Sequence, residues 1–438
     1  MNTKKYPTST DRGAAVADVS ILALCRVWFG IGCLSFGGPA AQIALMHRVI
    51  VDRCGWLSEK QYLSALSFCM LLPGPEAMQL ATFSGWRSRG VVGGLIAGLC
   101  FVLPGALVVG LLAMLYALYG EQSITATLFL GIKAAVLVIV VNALINVSKK
   151  ALTRVSSLVV AAVAFVAIFF FAVPFPLLVL LAGFVGFSLK PMVADQEHSV
   201  VRLPAGHLTT MARTVALWLV IWWVPVLALW LLIGNDLLLS IALFFSKLAV
   251  VTFGGAYAVL AYMAQDVVLH YQWLSASQMM DALGLAETTP GPLILVTEFV
   301  AFLAGFSQGG AGLAVMAAMV TLWVTFAPCF LWIFAGAPYM DWLLAQPRLK
   351  GALETITAAV VGVILNLSVW FALHVVFDEV VLQRSGMLSL WVPSLDTINV
   401  SVLALGALAA VLLNGFKWNI VVVLALCAGA ALLLTELM

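Results

Sequence analysis

Long apolar stretches separated by short polar breaks follow one another along almost the whole chain. They cover residues 20–46, 61–85, 91–118, 124–147, 155–172 and 174–189, a lone stretch at 214–233, and then 238–262, 278–304, 310–335, 352–377, 398–413 and 418–436. The arrangement is six, one, six. Runs such as Val155 to Leu189 do not alternate apolar and polar residues, so they predict helices and exclude a transmembrane β-barrel. The one long polar connection, Lys190 to Arg213, carries Asp195, Glu197, His198, Arg202 and His207 and reads as a linker between two halves.

The halves are copies of each other. Phe36-Gly37-Gly38, Trp56-Leu57-Ser58, Gln61 and Pro73-Gly74-Pro75 return 217 positions later as Phe253-Gly254-Gly255, Trp273-Leu274-Ser275, Gln278 and Pro290-Gly291-Pro292. Pro104, Ala134-Ala135-Val136 and Asn142 return as Pro328, Ala358-Ala359-Val360 and Asn366 at an offset of 224. The second copy has therefore gained seven residues, which the sequence places in the glycine-rich stretch from Gly305 to Gly312. The predicted organisation is a repeat over 1–190, a polar linker with a connecting helix over 191–237, and a second repeat over 238–438.

Composition fixes the class. With 64% hydrophobic and 9% charged residues, the chain cannot cover a soluble globule of 438 residues, and the expected fold is an all-α polytopic integral membrane protein. The N-terminus, with Lys4, Lys5 and Arg12, reads as an uncleaved first segment. Seven scattered cysteines form no CxxC pair or Cys/His cluster and predict neither metal nor disulfide.

Basic loops orient the helices. The N-terminus, Arg87/Arg89, Lys149/Lys150/Arg154, the linker, Arg348/Lys350 and Lys417 all fall on the cytoplasmic side, while Asp378-Glu379 falls outside with only Arg384 against the rule. The lone helix inverts the second copy, so the repeats are expected to be antiparallel. Arg48, Arg53 and Lys60 would face outward if 20–46 crossed completely. Re-entrant hairpins breaking at the glycine and proline motifs would remove that conflict, giving nine crossings instead of thirteen; both counts stay open.

The repeated motifs are themselves helix breaks. Gly37-Gly38-Pro39 and Pro73-Gly74-Pro75 weaken or kink a helix within apolar segments, and both have copies in the second half. Backbone freed at membrane depth is tolerated only where protein or a water-filled cavity satisfies it. Half-helix ends brought together from two inverted repeats can aim N–H groups at an anion. Four packing kinks are the plainer alternative.

These motifs resemble the chromate ion transporter superfamily in its long, two-domain form. The likeness lies in Gly32-Cys33-Leu34-Ser35-Phe36-Gly37-Gly38-Pro39, Gly55-Trp56-Leu57, Leu72-Pro73-Gly74-Pro75-Glu76 with Gln79-Leu80-Ala81, Val251-Thr252-Phe253-Gly254-Gly255 and Thr289-Pro290-Gly291-Pro292. The resemblance implies export of chromate from the cytoplasm, with sulfate as structural analogue, driven by an electrochemical gradient without ATP hydrolysis. It also implies a bacterial inner membrane. Nothing in composition or spacing shows chromium.

The substrate-binding residues expected on this basis are Ser35, Phe36, Gly37, Gly38, Gly74, Thr252, Gly254, Gly255 and Gly291, with Lys247 as a cation near the second break. Burying Lys247 or Lys133 in hydrocarbon costs about 3 kcal/mol, so each needs a cavity or a carboxylate; snorkelling is the alternative. Carboxylates beside an anion site repel substrate when ionised. Glu76, Glu287 and Glu298 are therefore expected to carry protons, with Glu76 alternatively a helix cap. No catalytic residue, metal or cofactor is expected: HExxH, P-loop and GxGxxG signatures are all missing, which speaks against an enzyme. The expected partners are the oxyanion and the lipid bilayer, with no nucleic acid and a homo-oligomer left open. A sulfate transporter and a passive anion channel remain as rival readings.

Overall fold

The computed structural model describes residues 19–120, 122–189, 207–253, 256–386 and 388–437; most of the polar linker, together with Gly254 and Gly255, lies outside them. The first half comprises α1 (Ile21–Leu34), α2 (Gly38–His47), α3 (Glu59–Leu71), α4 (Glu76–Tyr119), α5 (Ser123–Ala151), α6 (Val155–Phe171) and α7 (Phe175–Leu189). The connecting helix is α8 (His207–Ile233). After it come α9 (Asp236–Val251), α10 (Ala256–Gln265), α11 (Ala276–Thr288), α12 (Val296–Gly336), the short α13 (Met340–Leu344), α14 (Pro347–Val376), α15 (Val400–Ala410) and α16 (Ile420–Leu437). A polytopic all-helical fold is what the pattern predicted. Between α14 and α15 it adds an antiparallel hairpin, β1 (Val380–Ser385) and β2 (Leu388–Pro393), where the first half has only the short joint between α5 and α6.

The breaks fall at the repeated motifs. α1 stops before Ser35-Phe36-Gly37, and Gly37 and Gly38 both adopt positive φ, at 84° and 76°. α3 stops at Leu72-Pro73-Gly74-Pro75, and α11 at Thr289-Pro290-Gly291-Pro292, with Gly74 and Gly291 at φ 121° and 91°. At 14 residues, α1 reaches only about 21 Å, short of the roughly 30 Å hydrocarbon core. The Trp-Leu-Ser-x-x-Gln motif also has a local purpose. Ser58 with Gln61, and Ser275 with Gln278, form reciprocal capping boxes that start α3 and α11.

Among the described residues, five helical stretches are long and apolar enough to cross a membrane, with shorter apolar helices beside them. Length misleads for two of the five. α4 reverses at Arg89–Gly90 and α12 at Gly309–Gly310, with nearly the same backbone angles at each turn. A methyl group on Gly85 would overlap the Gly93 carbonyl, and one on Gly305 would lie 2.7 Å from Ala314 Cα, so each helix is a tight hairpin. Gly310 follows Gly90 by 220 positions. Three of the seven extra residues therefore come before this turn, at the short 3₁₀ turn Leu293–Leu295, and four come after it, rather than all within Gly305–Gly312.

Contacts tie the arms to two ends of the molecule. The Tyr62 hydroxyl donates to the Ile43 carbonyl (2.7 Å) and His47 Nε2 lies 2.6 Å from Glu59 Oε2, so α2 and α3 run back along each other. Glu59 and Lys60 share a cavity wall with Leu343, Leu344 and Lys350, which puts the α2–α3 loop at the same end as the start of α14. Gly94, just after the Arg89–Gly90 turn, packs on Phe334 near the same end. At the far end, α11 begins beside α5, where Lys133 Nζ donates to Ser277 Oγ (2.8 Å).

Small residues set the helix spacing: Gly131 lies on the Cys427 carbonyl, Gly186 on the Gly351 carbonyl and Gly362 on the Ala161 carbonyl. Large apolar side chains such as Leu22, Leu107, Leu180, Leu231 and Leu232 face outward, as in a protein whose solvent is lipid.

The hairpin turns give a direct test. Gly85→Ala should destabilise the protein by about 1–3 kcal/mol through overpacking, and Gly90→Ala by about 1–3 kcal/mol through strain at φ 61°, ψ −152°. Gly312→Ala, with open space around it, should leave thermal unfolding in detergent nearly unchanged.

Candidate functional site

The four breaks meet, and they meet across the repeats. The Gly74 N–H of the first Pro-Gly-Pro donates to the Thr252 carbonyl (2.9 Å), and the Gly291 N–H of the second donates to the Ser35 carbonyl (2.9 Å). Donors and acceptors are each 217 positions apart, so the two bonds are one interaction made twice with the copies exchanged. Each acceptor residue is held in the same way: Ser35 Oγ donates to the Ile31 carbonyl (2.7 Å) and Thr252 Oγ1 to the Leu248 carbonyl (2.6 Å).

The packing behind each break is exchanged too. Gly105 of α4 abuts the Pro290 carbonyl and lies against Gly291, whereas Cys329 of α12, its counterpart at an offset of 224, lies against Gly74. A side chain at Gly105 would collide with the second break. Gln42 of α2 adds a donor, its Nε2 lying 2.6 Å from the Gly291 carbonyl, and Gln79 Nε2 closes on the Pro73 carbonyl at 2.7 Å. Neither glutamine recurs in the other half, so the junction is symmetric in backbone and asymmetric in side chains.

Among the expected substrate residues, Ser35, Gly38, Gly74, Thr252 and Gly291 come together here; Phe36 and Gly37 stand at the same turn, Phe36 partly exposed. Gly254 and Gly255 lie outside the described residues. Lys247 is not brought to the junction: it is exposed on α9, its Nζ 5.3 Å from the centroid of the Tyr262 ring.

The carboxylates surround the junction at different places. Glu287, on the last turn of α11, is buried and accepts a hydrogen bond from the Tyr257 hydroxyl, and that hydroxyl also faces Gly38. Glu298, on the first turn of α12, is buried against Gly110 with Oε2 unpartnered. Glu76 opens α4 directly after the first break, within the field of Lys150. Among the described residues no cluster of His, Cys, Asp and Glu is arranged to hold a metal ion.

Sequence reasoning missed Asp281 and Tyr257. Asp281 of α11 is the carboxylate that Lys133 needed: Lys133 Nζ lies 3.1 Å from Asp281 Oδ1, and the Tyr116 hydroxyl donates to Oδ2 at 2.7 Å. The embedded lysine signalled that a partner existed but not where. The counterparts of Lys133 and Asp281 are Thr357 and Ser64, so this ion pair belongs to one end only. With side-chain exposures of 13% and 7%, the pair is buried. Asp281→Asn should cost about 3–5 kcal/mol by stranding Lys133, and the double variant Lys133→Met/Asp281→Leu should recover most of it in thermal unfolding.

Comparison with known proteins agrees with this architecture. A family model described as chromate transporter matches the chain twice, at residues 22–187 and 239–433. The chain is 31% identical over 410 residues to a chromate transport protein of Pseudomonas aeruginosa, covering 91% of this chain and 89% of that protein. It is 28% identical over 389 residues to a chromate transport protein of Cupriavidus metallidurans (86% and 90%), and 29% identical over 356 residues to a probable chromate transport protein of Synechococcus elongatus (79% and 83%). No solved structure matches. With both halves matched and the breaks of each half joined to those of the other, this chain belongs to the chromate transporter family.

Proposed function

We propose that the protein is a secondary transporter that exports chromate from the cytoplasm through the junction of its broken helices. The observation that carries this reading is the exchanged pair of hydrogen bonds, Gly74 to Thr252 and Gly291 to Ser35. It joins four helix breaks from two copies, the arrangement in which a transporter builds a site at mid-membrane from half-helix ends. In this reading the repeats are 1–190 and 238–438, joined through 191–237, and they lie in opposite orientations.

The arms α1–α2 and α3 with the first limb of α4 enter and leave at one face, and α9–α10 and α11 with the first limb of α12 at the other. Among the described residues nine helices then cross: the second limbs of α4 and α12, together with α5, α6, α7, α8, α14, α15 and α16. This reading puts Arg48, Arg53 and Lys60 on the same side as Arg89, Lys150, Arg154 and Lys350, in keeping with the cytoplasmic bias of basic residues. A bacterial inner membrane fits that bias.

The substrate is taken up at the turns Ser35–Gly38 and Thr252–Gly255, beside Gly74 and Gly291; the Gly74 and Gly291 N–H groups and the Ser35 and Thr252 hydroxyls hold the two turns in shape and do not themselves donate to it. Glu76, Glu287 and Glu298 carry the protons that couple release to the gradient, since an ionised carboxylate repels the dianion and a protonated one does not. Lys247, exposed on α9, contributes through the field at the second break and not by contact. Sulfate, with the same tetrahedral dianionic shape, is the competing substrate.

Proteoliposomes test the reading. Radiochromate should accumulate against its gradient only when a proton gradient or membrane potential is imposed, and sulfate, molybdate and phosphate should compete in a measurable order. Downhill flux alone would make the protein a channel. Glu76→Gln, Glu287→Gln and Glu298→Gln should each weaken the dependence of flux on the pH gradient; normal dependence in all three would remove their proton-carrying role. Cysteines placed at positions 52 and 270, in a cysteine-free background, should be labelled from opposite faces.

A further inference from the structure

The two ends of the molecule differ in a way the repeat does not. At the α11 end, Lys133, Asp281, Tyr116 and Ser277 close the space between α5 and α11. The counterparts of Lys133 and Asp281 are Thr357 and Ser64, and each lines an open cavity at the other end, of about 550 Å³ and about 700 Å³ respectively. The two cavities share Leu71 and Lys350. Leu71 is the last residue of α3 before the first Pro-Gly-Pro, so this space reaches the end of α3 beside the first break, while on the other side the matching place is filled by an ion pair.

The smaller cavity is built for an anion. Lys150 reaches it from the end of α5, Arg154 from the cap of α6 and Lys350 from the first turns of α14, against one carboxylate, Glu354. Ser156 and Ser157 line the same wall in the first turn of α6, a 17-residue helix whose N-terminal amides add partial positive charge. The counterpart positions at the opposite end lack this charge. The counterpart of Lys150 is His374, which is hydrogen-bonded to the Trp370 carbonyl (2.9 Å) and packed on Trp391, and the counterpart of Lys350 is Ala126. Where Arg154 follows α5, Asp378 and Glu379 follow α14.

We propose that the cavity bounded by Lys150, Arg154 and Lys350 is a separate capture site for a tetrahedral oxyanion, upstream of the junction. The cavity far exceeds one such ion, so the anion enters with its water, held by long-range charge and by hydroxyl contacts instead of by a desolvated pocket. A site of this kind concentrates substrate and binds it weakly enough to pass on. Capture changes the affinity seen from this face, while the direction of net movement is set by the gradients. The purpose of the site rests on the transporter reading; the binding itself does not.

The test uses the full chain and the exposed triple variant Lys150→Gln/Arg154→Gln/Lys350→Gln. In inside-out vesicles its KM for chromate should rise about tenfold with kcat unchanged. Raising the ionic strength should raise KM in the parent but not in the variant, and Lys150→Arg/Lys350→Arg should keep the parent KM. An unchanged KM in the triple variant, with transport intact, overturns the capture site and leaves the transporter reading standing. If the parent moves no chromate, that reading falls, and radiolabelled sulfate binding to nanodisc-embedded protein decides the site. Weaker binding by the variant then sustains it, and no difference between the two proteins overturns it.

Discussion

Breaking a helix inside a membrane leaves backbone donors and acceptors that lipid cannot satisfy, each at a cost of about several kcal/mol. This protein meets that constraint by pairing the break of one copy with the break of the other, Gly74 to Thr252 and Gly291 to Ser35. Much of the architecture is a condition for those two bonds. The positive φ at Gly74 and Gly291 orients the N–H groups, the side-chain bonds of Ser35 and Thr252 fix the accepting turns, and the smallness of Gly105 lets the second limb of α4 lie against the second break. Neither copy can complete its junction alone.

A backbone frame shared by both copies leaves the side chains free to diverge. Gln42, Gln79, Tyr257, Glu287 and Glu298 all bear on the junction from one copy only, and Lys133 with Asp281 closes one end only. A symmetric frame supports two equivalent arrangements of its arms. On the transporter reading proposed above, unequal side chains are what would give those arrangements different energies and different affinities for an anion, the property a coupled carrier requires.

Several features were legible because they rest on residues with few conformational uses. Glycine and proline inside apolar segments announced every break, and the polar Trp-Leu-Ser-x-x-Gln run marked the starts of α3 and α11. The segment boundaries at 85–91 and 304–310 already separated the two limbs of α4 and of α12, but the angles that make each a tight hairpin, at Arg89–Gly90 and Gly309–Gly310, are set by the packing of the limbs on each other. The hairpin β1–β2 was unread because 378–397 shows no strong periodicity among its mixed residues. Lys247 was placed near the second break by its position in the chain, but which way a helical side chain faces depends on the neighbours of α9.

By itself, the sequence determined that the chain is a membrane-embedded pair of copies with helices broken at fixed motifs, and which family those motifs belong to. Composition, periodicity and backbone-limiting residues act locally, so each is written in consecutive residues. Only the tertiary structure decided which break satisfies which, that Lys133 pairs with Asp281, and that one end is closed by that pair while the other opens into a basic cavity. Those outcomes depend on distances between residues more than a hundred positions apart, which packing of the helices sets and no local pattern records.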